Sequence, residues 1–135
     1  MAENKTLAAF PVKVLALLLF LFSLLALFGS LFMWGEGFIL PLHQGVDYRF
    51  PITDILVNAP ASMLASIGLW KLKRYGYVAA QFVAGFYVYP SVEIFVGVAQ
   101  GDLPNALAII MPQVLAVLVA AASVFYLWRV QNVFR

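Results

Sequence analysis

Long apolar runs alternate with short polar stretches along the chain. A helix that crosses a bilayer needs about 17–25 mostly apolar residues at roughly 1.5 Å each. Four segments reach that length, at about 7–34, 54–70, 75–100 and 105–128. The first contains VLALLLFLFSLLALFGSLFMW and carries no charge after Lys13. It is longer than the apolar core of a secretory signal peptide, and no small-residue cleavage site follows it, so it reads as a retained span. The second run ends in the basic cluster Lys71, Lys73 and Arg74. A turn that short makes spans two and three antiparallel neighbours. Gly101, Asp102, Leu103 and Pro104 form the turn before span four.

The longest non-spanning stretch, about Gly35 to Thr53, reads GEGFILPLHQGVDYRFPIT. Its glycines and prolines argue against one continuous helix. Phe38, Ile39, Leu40, Leu42, Tyr48, Phe50 and Ile52 are nevertheless too apolar for a solvated loop. The expectation is a segment lying on the membrane surface, or a lid over the helix ends. The pattern thus predicts an all-α membrane protein. It is a four-transmembrane-helix bundle, residues 1–135 forming a single integral membrane domain with a longer outer loop between helices one and two.

Charge orients the bundle. With four spans, one side holds the N-terminus, the second loop and the C-terminus. That side carries Lys5, Lys13, Lys71, Lys73, Arg74, Arg129 and Arg135. Arg49 stands on the other side with Glu36, Asp47, Asp54 and Asp102. Basic residues favour the cytoplasmic face, so both termini are expected there, in a multi-pass cell-membrane protein. Trp34, Trp70, Tyr75, Tyr77, Tyr126 and Trp128 lie near span ends, where amphipathic rings favour the interface.

Composition agrees. Hydrophobic residues make up 64% of the chain and charged residues 10%, against about 25% charged in soluble domains. The net charge of +2 reflects basic residues at span ends and does not point to nucleic acid. The absence of cysteine removes thiol chemistry and Cys-based zinc sites. His43 is the single histidine, so no metal ion and no cofactor is expected. As a proton carrier it is a candidate, although a lone loop histidine more often has no special role.

Polar residues inside the spans carry the candidate chemistry. A charge at a span centre costs about 2.5–3.5 kcal/mol on the insertion scale. Glu93 is acidic and lies seven residues before Gln100, roughly 10 Å below the outer end of span three. Tyr89, four residues earlier, shares its face. In span two, Asp54, Asn58, Ser62 and Ser66 recur every fourth residue and form one polar stripe. With Ala61, Ala65 and Gly68 beside it, the stripe should face the bundle interior and span three. Gln113 of span four follows Pro112 and lies roughly 12 Å below the outer surface. Pro90 and Pro112 each free a backbone carbonyl at similar depth.

Asp54, Asn58, Tyr89, Glu93 and Gln113 are therefore the expected ligand-binding residues of a polar pocket opening outward. Two plainer readings stand beside this one. Glu93 could be structural glue, hydrogen-bonded to Tyr89, Asn58 or Gln113. Asp54, at the start of a helix, reads first as an N-cap. The basic run at 71–74 serves topology, with anionic lipid headgroups as a secondary partner. Phe82, Phe86, Tyr87 and Tyr89 read as packing and lipid contact. Gly97 and Gly101 have GxxxG spacing, but at a helix end.

Asp54, Pro60, Leu69, Trp70, Lys71, Arg74, Gly76 and Tyr77 resemble a pattern found in uncharacterised small four-span bacterial membrane proteins. The pattern has an aspartate opening span two, a mid-span proline, Leu-Trp, a basic cluster and Gly-Tyr. Third spans of that kind often carry a lysine, whereas this chain has Gln81 and Glu93. The resemblance covers spans two and three and implies a four-span architecture without an activity.

Three functions remain open. One is binding of a small molecule or lipid, or support of transport, through the outward pocket. A homo-oligomer or larger assembly would then be needed, because four spans are few for a complete transporter and no inverted repeat is evident. Another is an accessory or structural subunit of a larger membrane complex, with span one as the contact surface. The third and weakest is an intramembrane enzyme, because no nucleophile motif, phosphate loop or metal-ligand set is present, and no catalytic residue is assigned.

Overall fold

A computed structural model describes residues 2–35, 49–102 and 107–134. Helix α1 covers Ala2–Gly35. Helix α2 (Arg49–Thr53) runs through a π-helical turn at Asp54–Asn58 into α3 (Ala59–Trp70). Helix α4 spans Arg74–Gln100. Helix α5 (Leu107–Ala121) passes through a second π turn, Ala122–Tyr126, into α6 (Leu127–Arg129), and a 3₁₀ turn follows at Gln131–Val133. Four stretches are long and apolar enough to cross a bilayer: Ala9–Phe32, Pro51–Trp70, Arg74–Gln100 and Ile110–Arg129. The protein is an all-α bundle of four membrane-spanning helices.

Two expectations change at the second span. The loop was expected to reach Thr53, yet the helix already begins at Arg49. Asp54 is therefore preceded by helical residues and cannot cap. An N-cap residue has non-helical backbone angles, whereas the preceding Thr53 sits at φ −65 and ψ −37. The π turn has its own cause. Pro60 has no N–H and its ring crowds the carbonyl one turn back. The chain widens there, and the Ala59 N–H bonds to the Asp54 carbonyl, five residues earlier. Residues 36–48, with His43 and most of the expected lid, lie outside the described residues, as do 103–106 with Pro104.

Beside a core of Leu19, Leu69, Val83 and Leu127, small residues fill much of the interior. Ser23, Ser62, Ser66, Ser91 and Ser123 are buried beside Ala16, Ala65, Ala80 and Ala120. Phe28, Leu56, Phe82 and Phe125 are exposed. Lipid is as apolar as leucine, so burying leucine gains little. Small residues instead allow backbones to approach, and hydroxyls bond across the contact. Ser23 Oγ donates to the Ala59 carbonyl at 2.8 Å and Ser66 Oγ to the Ala16 carbonyl at 2.7 Å. Both bonds tie α1 to α3. The stripe expected to meet span three is thus shared: Ser62 faces α4, whereas Ser66 faces α1.

Helices α3 and α4 meet backbone to backbone at two glycines. A Cβ on Gly68 would stand 2.3 Å from the Gly76 Cα, and one on Gly76 would stand 2.2 Å from the Gly68 carbonyl carbon. The chain reverses between them at residues 71–73. The Lys73 N–H bonds to the Gly68 carbonyl at 2.8 Å and the Leu72 N–H to the Leu69 carbonyl at 3.0 Å. This is a Schellman cap, whose turning residue takes a left-handed conformation and is usually glycine. Here it is Leu72, at φ 53. A left-handed leucine costs about 1–2 kcal/mol. Its side chain packs against the buried core, which holds the conformation in place. Helix α4 ends in the same motif, with Gly101 at φ 82. The second glycine of the GxxxG spacing is thus a helix cap.

Neighbouring helices pack in chain order, α1 on α3, α3 on α4 and α4 on α5, while α1 and α5 barely meet. Near the termini the bundle is closed by Val12, Leu15, Leu19, Val83, Val119 and Leu127. Phe134 returns to stack on Tyr77, with ring centroids 5.6 Å apart. Lys13 Nζ lies 5.6 Å from the Trp70 ring centroid. These contacts gather the start of α1, the α3–α4 turn and the chain's C-terminal end at one end of the bundle. Nearby, Gln81 Nε2 donates to the Ser123 carbonyl at 2.6 Å, binding α4 to the second π turn. At the opposite end, the weak α1–α5 contact leaves the seam open.

Candidate functional site

The site lies in that open half and begins with the polar stripe. Asn58 Nδ2 donates to Asp54 Oδ1 at 2.8 Å, and Ser62 Oγ donates to Asn58 Oδ1 at 3.1 Å. The Tyr87 hydroxyl lies 2.9 Å from Ser62 Oγ. Ser62 has one hydroxyl hydrogen, and Asn58 receives it. Tyr87 must then be the donor in the remaining bond. Every proton in the chain from Tyr87 through Ser62 and Asn58 consequently points toward Asp54. The carboxamide in the middle makes this a positioning chain rather than a hydroxyl proton wire. Phe22 of α1 fixes the Tyr87 ring from the other side, at a centroid distance of 5.2 Å.

A second polar group joins α4 to α5. Ser91 Oγ donates to the Tyr87 carbonyl at 2.7 Å and lies 3.1 Å from Gln113 Oε1. One hydrogen cannot serve both well. A carboxamide turned by 180° exchanges oxygen for NH₂, which lets Gln113 donate to Ser91 instead. Pro90 lies beside this serine, and its missing N–H leaves the Phe86 carbonyl without its usual helical donor.

Asp54, Asn58, Tyr87 and Gln113 of these groups line a cavity of about 490 Å³, within the roughly 300–1,000 Å³ range of small-molecule sites. Phe22, Leu25 and Ala26 wall it from α1, and Thr53, Asp54 and Asn58 from the second span. Helix α4 supplies Phe86, Tyr87, Tyr89, Pro90, Glu93 and Ile94, while α5 supplies Pro112, Gln113 and Ala116. All five expected residues, Asp54, Asn58, Tyr89, Glu93 and Gln113, line this one cavity.

Their positions within it differ. Asp54, Asn58 and Gln113 are partly buried among the helices. Glu93 is exposed and Tyr89 is 67% exposed, so both stand at the rim. Asn58 is hydrogen-bonded to Asp54 and Ser62, and Gln113 lies against Ser91, so the polar contacts of these two residues run to neighbours other than Glu93. No three of His, Cys, Asp and Glu come together among the described residues.

Tyr87, Phe22 and Ser91 were not among the expected site residues. The sequence pattern alone places Tyr87 with the packing aromatics. A signal for it was present in the buried face of α4, where Gly76, Ala80, Ala84, Tyr87 and Ser91 recur at helical spacing. A tyrosine ending a stripe of small residues points into the bundle. Phe22 lies in a run that is apolar all round, so no pattern distinguishes it. No family model, curated protein or solved structure matches this chain.

Proposed function

We propose that the protein binds a small molecule or lipid in the cavity between α1 and α5, from the outer side of the membrane. The observation that carries this reading is the convergence of Asp54, Asn58, Tyr87, Glu93 and Gln113 from three spans on one apolar-walled cavity. Few polar groups placed in an apolar enclosure orient a ligand, and intramembrane ionisable groups commonly mark ligand or ion pathways. The basic residues at 71–74 and at both chain ends support an orientation with cytoplasmic termini. The cavity then opens toward the outer leaflet.

Native mass spectrometry of protein extracted gently from its own membrane tests the reading, beside Ala26→Trp and Glu93→Gln. Ala26 lines the cavity from α1, and an indole there fills space without changing charge. A small bound mass should accompany the natural protein and be lost from Ala26→Trp. Retention of that mass in Ala26→Trp would place the ligand elsewhere and refute the reading.

The open α1–α5 seam also supports a second reading, that of an accessory subunit whose seam is filled by a helix of a larger membrane complex or of a second copy. A stoichiometric protein partner, held by the natural protein and by Glu93→Gln alike, would favour it. In both readings the small four-span proteins with a similar second span are proposed relatives in architecture.

A further inference from the structure

Charge and ring chemistry narrow the ligand, on the premise that the cavity is a binding site. Two carboxylates line it, Asp54 and Glu93, and among the described residues no lysine, arginine or histidine does. Its other polar side chains, Thr53, Asn58, Tyr87, Tyr89 and Gln113, are uncharged. An anionic ligand would meet two like charges in surroundings where screening is weak. A neutral ligand would draw no charge attraction from either acid. A cation is attracted by both.

The walls decide what kind of cation. Four aromatic residues, Phe22, Phe86, Tyr87 and Tyr89, line the cavity. A cation within about 6 Å of a ring face is attracted by its quadrupole, and quaternary ammonium ions are commonly held this way. No group of three metal-ligating side chains forms among the described residues, and the walls are mostly apolar. The surroundings suit an apolar body around a single positive charge.

Placement adds direction. Glu93 stands at the exposed rim, whereas Asp54 sits deeper, held by Asn58 on one oxygen. Behind Asn58, Ser62 and Tyr87 fix the amide's orientation. A cation arriving through the open seam meets Glu93 first and Asp54 second. We propose that this cavity selects organic cations with an apolar body, of the substituted ammonium or phosphonium class. Glu93 acts as the outer charge partner, Asp54 as the inner one, and the aromatic rings as the cage.

Tetraphenylphosphonium and tetraphenylborate are nearly equal in size and opposite in charge. Their binding to the full chain in lipid nanodiscs, corrected for empty nanodiscs, separates charge from shape. The natural protein should bind the cation at least tenfold more tightly than the anion. In Asp54→Asn/Glu93→Gln that preference should fall below threefold. Glu93→Asp keeps the charge and should retain most of the preference, which separates charge loss from misfolding. Equal binding of both ions by the natural protein would overturn charge selection and leave a pocket that binds by shape. Preference for the cation persisting in the double variant would overturn the assignment to these two acids. Binding of neither ion would overturn both the inference and the pocket on which it rests.

Discussion

Replacing Gly68 by alanine asks whether α3 and α4 touch backbone to backbone. The added Cβ would stand 2.3 Å from the Gly76 Cα, 2.6 Å from the Gly76 nitrogen and 2.6 Å from the Tyr75 ring. Ordinary carbon contacts need about 3.5–4.0 Å. The helices must therefore part by roughly 1.5 Å, or tilt about the contact. Two of the three nearest atoms are backbone, so no rotamer change relieves them. Parting also strains the turn, because Lys73 bonds back to the Gly68 carbonyl across the same contact. Overpacking of this kind costs about 1–3 kcal/mol and occasionally more. With a rigid backbone on both sides, the upper end applies: a loss of about 2–3 kcal/mol is expected for Gly68→Ala and for Gly76→Ala alike. Combining the two should add much less than the sum, since the first change already separates the helices. Gly85 is the control, because nothing lies within 4 Å of its Cβ position. Gly85→Ala should cost nothing. Reversible unfolding in bicelles, followed by steric trapping or denaturing detergent, gives the numbers. A Gly68→Ala loss within 0.5 kcal/mol of the Gly85→Ala value, a spread typical of unremarkable surface changes, would refute the close contact.

Tyr87→Phe removes the hydroxyl that donates to Ser62 while keeping the ring against Phe22. It should lower stability by about 0.6–1.7 kcal/mol, the range for hydrogen bonds between membrane helices, and a loss above 3 kcal/mol in the same unfolding assay would show that the ring, not the hydroxyl, had moved. Gln81→Leu deletes the bond to the Ser123 carbonyl. Amide hydrogen exchange should then rise within the π turn at Ala122–Tyr126 and stay unchanged near Asp54; unchanged exchange at both turns would mean that Gln81 does not hold the turn. Because the chain has no cysteine, Asn132→Cys can be labelled alone. A membrane-impermeant maleimide should reach it only from the cytoplasmic side, and labelling in intact cells would reverse the proposed orientation.

Several features were legible in the linear pattern, and each has a local physical cause. Span number and approximate bounds follow from the length of apolar runs, because a bilayer of fixed thickness imposes a fixed helix length. The antiparallel pairing of spans two and three follows from the shortness of the turn at residues 71–73. Spacing by four placed Asp54, Asn58 and Ser62 on one line, and depth counting brought Glu93 and Gln113 to the same level. Five expected residues came to line one cavity for that reason.

The remainder depended on contacts between residues distant along the chain. Asp54 read as a cap because sequence cannot show that Arg49–Thr53 is already helical. Tyr87 read as packing because its partner, Ser62, lies 25 residues away. The pairing of Gly68 with Gly76 needs the hairpin to close before the lack of side chains matters. The sparse contact between α1 and α5 is likewise a property of the assembled bundle, which no single helix encodes. Periodicity determines which face a residue occupies, since that is a property of one helix. What the face meets is set by the packing of four helices, because in lipid the apolar surfaces are nearly equivalent and only close fit and hydrogen bonds choose among them.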